Sequence, residues 1–169
     1  MEFKQIILNR RSIRKFKPDA VPKEIINDLV EAGFNAPSAC NKKPFKIYVI
    51  TNKEVKEKVR LSGLFTRMVS PLIIVVVGDL KHALPKDLKE YWIQDASAVT
   101  ENILLCATAY GLGTCWNGVY PQTRVMEKVK KALDLEEHLI PLSIIHVGYK
   151  DEEKKPHSGF DDKKVIYIE

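Results

Sequence analysis

The chain has 169 residues, 45% of them hydrophobic, which is enough for one ordinary globular domain with a buried core. Its 27 Lys and Arg against 22 Asp and Glu give a formal charge of +5 that is spread along the sequence, so no nucleic-acid face is expected. Three cysteines without a CxxC pair (Cys40, Cys106 and Cys115) make no disulfide framework and fit a reducing cytoplasm. The amino terminus lacks a long apolar core, and the longest apolar run, residues 71–78, is far short of the roughly 20 residues a membrane span needs, so neither signal peptide nor anchor is expected.

In chain order, a first helix leads into the basic turn RRSIR, residues 10–14. Residues 22–34 then carry Ile25, Ile26, Leu29, Val30 and Phe34 at helical spacing behind Pro22, which suits a helix start. Residues 45–50 and 72–77 are rich in β-branched side chains and read as strands, the second so continuously apolar that both its faces should be buried. Residues 86–110 form the longest helical pattern, and the part from 103 to 109 is apolar almost all round. Such a helix must be covered on every side, and in so short a chain part of that cover is expected from a second subunit. The glycines at 111 and 113 end it and lead into a short stretch, 114–119. A helix over 121–133, a strand over 142–147, a charged linker over 150–156 and a last strand over 165–168 complete the chain. Helices and strands are mixed without regular βαβ alternation, so the expected class is α+β, a sheet with helices on both sides.

Three stretches could carry chemistry. Arg10, Arg11, Ser12 and Arg14 put three guanidinium groups and a hydroxyl within five residues, the donor set that an acceptor-only phosphate wants; a solvated basic turn would show the same composition. The segment APSACNKKPF, residues 36–45, fixes its backbone with two prolines and offers Ser38 and Asn41, where a ring's polar edge could be read; an ordinary helix-to-strand connection is equally rich in such residues. In GLGTCWNG, residues 111–118, the glycines follow a helix rather than a strand and the spacing is G-x-G-x-x-W, so a Rossmann dinucleotide site is rejected. His82, His138, His146 and His157 show no metal-ligand spacing, and Cys115 reads as a small buried residue rather than a redox thiol.

RRSIRKF, then APSACNKKPF, then a long helix ending in AYGLGTCWNG, in that order and at those separations, resembles the flavin-dependent nitroreductase family over nearly the whole chain. The resemblance implies a three-layer α-β-α fold with a mainly antiparallel central sheet flanked by helices. It also implies a homodimer with FMN at the interface and a carboxyl-terminal tail, about residues 150–169, packed on the partner subunit. Arg10, Arg11, Ser12 and Arg14 match the segment that holds the FMN phosphate and ribityl chain. Pro37, Ser38, Asn41 and Lys43 match the loop that reaches the flavin from the partner, and Trp116, Asn117 and Gly118 match the turn that lines the ring. In the family, NADH or NADPH reduces the flavin and leaves, and a nitroaromatic, quinone or similar acceptor then binds in the same place, a ping-pong cycle that needs no acid or base from a side chain. Electrons taken up by the ring bring negative charge, and Arg14, ahead of Lys42 and Lys43, is the first candidate for the cation beside it. The implied alternatives are a specialised flavoenzyme of the same fold, for dehalogenation or oxidative dehydrogenation, or a binding module that has lost stable FMN.

Two positions depart from the family pattern. Lys43 stands where Gln is usual, and residues 157–160 contain no Arg where the family often supplies one to the phosphate. That leaves the amino-terminal arginines, or Lys163 or Lys164, to hold it.

Overall fold

The computed structural model describes residues 2–169. The sheet is built from β1 (Phe45–Ile50), β2 (Leu72–Asp79), β3 (Gly113–Gly118) and β4 (Leu139–Gly148), in spatial order β1-β2-β4-β3 with every neighbouring pair antiparallel. Helices α1 (Phe3–Asn9), α2 (Lys23–Phe34), α3 (Lys53–Arg60), α4 (Tyr91–Ala109) and α5 (Thr123–Leu133) make up the rest.

Strand β2 shows why the architecture has three layers. Its side chains alternate between two cores: Leu72, Ile74 and Val76 pack with Leu29 of α2 and Val99, Ile103 and Leu104 of α4, whereas Ile73, Val75 and Val77 pack with Val59 of α3 and Val129 of α5. All six are buried, as the continuous apolar run predicts, and each contributes about 1.5–3 kcal/mol by leaving water. The expected α+β class with helices on both faces is therefore the observed one.

Several elements differ from the sequence reading; β4 begins at Leu139, three residues before the expected start, and β2 runs on to Asp79. The long helix starts at Tyr91 rather than at 86, because Lys86 takes a left-handed φ of 57° in a single turn, Lys86–Leu88, that an α-helix cannot include. Helix α5 starts two residues after the expected position. Helix α3 was not anticipated: apart from Val55 and Val59 its residues are charged, and Asn52 starts it by accepting the Val55 N–H at 3.0 Å. Finally, residues 165–168 form no strand. A single turn, Asp162–Lys164, precedes them, and Ile166, Tyr167 and Ile168 are 84%, 81% and 95% exposed; within the protomer this segment pairs with no strand, and an isolated extended segment is not a stable strand.

In α4, Ile103, Leu104 and Ala107 are buried within the protomer itself, while Leu105 and Cys106 remain half-buried and Tyr110, just past its end, is exposed.

Candidate functional site

The basic segment lies along the free edge of β3. The Ile13 N–H donates to the Thr114 carbonyl at 2.8 Å, Ser12 bridges to Thr114 in parallel, and the Ile13 side chain is buried beneath. Gly113 permits this approach, since a Cβ there would meet Ile13 at 2.8 Å; Gly111, at φ 74°, is the left-handed residue that stops α4. The two glycines thus serve the packing of the RRSIR segment and the end of a helix.

The segment is then tied to residues from the far end of the chain. Lys17 N–H donates to Tyr149 O and Asp151 N–H to Lys15 O. The Glu152 carboxylate accepts the Arg14 N–H at 2.5 Å and the Lys15 N–H at 3.3 Å, and the first of these bonds holds its pKa below the usual carboxylate value. Lys154 Nζ donates to Ser12 O at 2.5 Å and lies 3.5 Å from Glu152. Sequence reasoning missed Lys154; its only signal was a Lys pair before Pro156 in a linker taken as merely charged.

Around this segment the donors are not all used. Arg10 is 3.7 Å from Glu101, whose pKa is raised by burial. Arg11 Nε is buried and has no acceptor among the described residues. A buried guanidinium N–H left without a partner is costly, and an acceptor-only anion would satisfy it.

Arg14 opens onto a cavity of about 320 Å³, within the range of about 300–1,000 Å³ usual for ligand sites. Its walls come from β3 (Cys115, Trp116, Asn117, Gly118), from α5 and its approach (Gln122, Val125), and from the connection after α3 (Gly63, Leu64, Phe65, Thr66). Asn117 Nδ2 donates to Phe65 O at 2.8 Å, which leaves its Oδ1 buried and unpartnered, an acceptor available to a ligand N–H. Burial raises the pKa of the Cys115 thiol, which disfavours a reactive thiolate. From sequence alone the stretch from Arg60 to Ser70 has no assigned place, and the structure sets Gly63, Leu64, Phe65 and Thr66 of it against the cavity.

The structure therefore brings Arg14, Trp116, Asn117 and Gly118 to one cavity, with Arg10, Arg11 and Ser12 beside it. Pro37, Ser38, Asn41 and Lys43 do not line it. Their loop sits between α2 and β1, anchored by Ala39 N–H to Asp95 Oδ1 at 2.8 Å and by Lys43 N–H to Ser38 Oγ at 3.0 Å. Cys40, Asn41 and Lys43 take left-handed φ values of 50°, 52° and 46°, and Lys43 Nζ donates to Phe34 O at 3.2 Å, where a cation suits the carboxyl end of α2. Lys164 pairs with Asp161. Among the described residues no group of three or more His, Cys, Asp or Glu could hold a metal ion, and no helix is long and apolar enough to cross a membrane.

Fold and site together define a three-layer α+β protein with a cavity, lined by Arg14 and Trp116, at the β3 edge of its sheet. The chain belongs to the nitroreductase family, whose sequence profile matches residues 7–71 and 69–149. A Methanothermobacter thermautotrophicus protein, provisionally named an NADH dehydrogenase/NAD(P)H nitroreductase, is 33% identical over 165 residues, covering 98% of this chain and 86% of its own length. An FMN-dependent nitroreductase from Clostridium difficile superposes with a TM-score of 0.88 at 30% identity, over 97% of this chain and 98% of that one. A nitroreductase-type protein from Desulfovibrio desulfuricans, solved in complex with FMN, gives a TM-score of 0.84 at 25% identity, over 100% and 98%.

Proposed function

We propose that this protein is an FMN-dependent NAD(P)H oxidoreductase that passes electrons to nitroaromatic, quinone or similar acceptors. The observation that carries the reading is the buried, unpartnered Nε of Arg11 on a segment that also presents Ser12 and Arg14 and meets Lys154, next to a cavity walled by Trp116 and Asn117. FMN has the matching chemistry: a phosphate that only accepts, and a planar ring whose edge both donates and accepts.

Arg10, Arg11, Ser12, Arg14 and Lys154 would hold the phosphate and ribityl chain, Lys154 standing in for the arginine that residues 157–160 lack. Trp116, Asn117 and Gly118 would line the ring, with the Asn117 Oδ1 accepting from it. Bound FMN would supply hydride and electron exchange between NAD(P)H and the acceptor. The chain's own part is to place a cation, Arg14, where negative charge gathers and to offer one cavity that donor and acceptor occupy in turn, a ping-pong cycle without a side-chain acid or base.

A homodimer completes this reading. The loop carrying Pro37, Ser38, Asn41 and Lys43 lies away from its own protomer's cavity and would serve the partner's. The exposed residues 165–168 would pack across the interface, for which the free edge of β1, with Val49 exposed, has the unpaired backbone groups.

The test is an absorbance spectrum of the protein with FMN, followed by anaerobic addition of NADH and then NADPH. Bound flavin bleached by either nucleotide supports the reductase. Bound flavin that neither bleaches points to a specialised flavoenzyme, and absence of binding overturns the reading.

A further inference from the structure

We propose that His146 is a positioning residue that clamps the loop of residues 61–70 to the sheet and so fixes Leu64 and Phe65 as an apolar wall for a planar, weakly polar acceptor; this rests on the reading of the cavity as the acceptor site. His146 sits in the middle of the sheet, paired in register with Ile73 of β2 on one side and Cys115 of β3 on the other, and is fully buried. Its ring makes two bonds, both to the loop: Nε2 lies 3.1 Å from Thr66 O and Nδ1 2.9 Å from Ser70 Oγ.

Hydrogen-bond accounting fixes the state of the ring. A carbonyl only accepts, so Nε2 carries the proton toward Thr66 O. In the neutral ring Nδ1 is then an acceptor, and the Ser70 hydroxyl donates to it, giving up or sharing its 2.8 Å contact with Leu72 O. Burial, which pushes the His146 pKa down to about 4, agrees with that neutral tautomer. Phe16, stacked at 6.5 Å and 26°, closes one side of the ring.

Many buried histidines are no more than satisfied core residues. What distinguishes this one is where its bonds end. Leu64 and Phe65, next to Thr66, are 71% and 79% exposed, and both line the cavity together with Arg14 and Trp116. Large apolar side chains held in water gain nothing from burial, so their position must be enforced by the backbone. Several side chains anchor that backbone: Asn117 at Phe65 O, Arg60 at Arg67 O, Lys56 at Ser70 O, and Thr66 Oγ1, which ties the loop to itself at Arg60 O and Gly63 O. His146 differs in joining two points of the loop to a central strand. Arg14 and Trp116 reach the cavity from outside this loop and Asn117 shares a single bond with it, at Phe65 O, whereas the wall facing an acceptor is the loop itself.

The experiment compares the FMN-loaded wild type with His146→Ala, His146→Gln and Ser70→Ala. It measures FMN affinity, steady-state turnover of 1,4-naphthoquinone with NADH, and amide hydrogen exchange of the 61–70 loop. Losing one or both clamp bonds is expected to raise the quinone KM about tenfold and speed loop exchange, while the FMN dissociation constant and kcat change less than about twofold. Gln, which keeps one donor and one acceptor, is expected to restore part of the KM. Ser70→Ala leaves the imidazole in place, so it decides the matter if His146→Ala does not fold. Wild-type KM and wild-type loop exchange in Ser70→Ala and in whichever His146 variants fold would overturn the clamp. A wild type that binds no FMN, or is not reduced by either nucleotide, overturns the underlying reading, and hydrogen exchange still decides whether His146 holds the loop.

Discussion

Lys154 reaches back 142 positions to place its ammonium 2.5 Å from the carbonyl oxygen of Ser12, so that the basic segment near the amino terminus is completed by a cation from the other end of the chain. If this ammonium helps hold a phosphate, Lys154→Ala should weaken FMN about tenfold, the scale of one charge-assisted hydrogen bond, and Lys154→Arg should retain most of the affinity. Flavin fluorescence titration at fixed ionic strength reads this. Equal affinities for wild type and Lys154→Ala would return the phosphate to the amino-terminal arginines alone.

Arg14 is exposed and lines the cavity beside Trp116, and its backbone N–H is held by Glu152. Arg14→Ala should both weaken FMN and lower its potential, by about 30 mV if the lost cation contributes a tenfold preference for the electron-rich ring. Titration against a reference dye under anaerobic conditions measures the shift, and an unchanged potential would remove Arg14 from that role.

How far the sequence foretold this arrangement depends on the range of the interactions involved. Strand β2 was legible because its continuous run of β-branched residues leaves no polar face, and α2 because Ile25, Ile26, Leu29 and Val30 repeat at helical spacing. Helix α3 was not, since the two valines at 55 and 59 are too few to mark a face among six charged residues. Within the site, the RRSIR segment and Trp116–Gly118 announce themselves by composition. Loop 61–70 and Lys154 do not, because what gives them meaning lies 76 residues away for Ser70 and His146 and 142 for Lys154 and Ser12. Residues 165–168 carry a strand pattern that one protomer leaves unpaired, which local propensity alone cannot foresee.

That unpaired segment yields a cleaner truncation than removal of the whole tail. A chain ending at Lys164 keeps Glu152 and Lys154 on the RRSIR segment and loses only the exposed Val165 to Glu169. If these residues pack on the partner subunit, the truncated protein should dissociate at concentrations where the full chain is dimeric, with its secondary structure intact. Sedimentation velocity and circular dichroism measure the two properties, and an equally stable dimer would place the interface elsewhere.

His146 makes stability depend on pH on the acid side. Its folded pKa of about 4 lies below the 6.5 of the unfolded chain, so between these values the unfolded state binds more protons and folding weakens as pH falls. The contribution is fully present above pH 6.5, declines through the interval and is lost below pH 4, by about 3 kcal/mol at about 1.4 kcal/mol for each unit of displacement. Urea unfolding at pH 7, 5.5 and 4.5 should show this decline in wild type and a shallower one in His146→Gln. Parallel profiles would mean that other groups dominate acid sensitivity.

Gly113 tests the link between packing and binding. An added methyl would meet Ile13 at 2.8 Å, so Ile13 and the segment around it must move. Gly113→Ala is expected to cost about 1–3 kcal/mol of stability by overpacking and, because Arg11, Ser12 and Arg14 flank Ile13, to weaken FMN more than it weakens the fold. Gly159→Ala, where a Cβ also meets nothing within 4 Å and which does not line the cavity, is the control for an added methyl. Thermal melts with and without FMN separate the two effects. If Gly113→Ala loses stability without FMN, the control does not, and both gain as much from FMN as wild type does, the approach of Ile13 to β3 supports the fold but does not set the phosphate site.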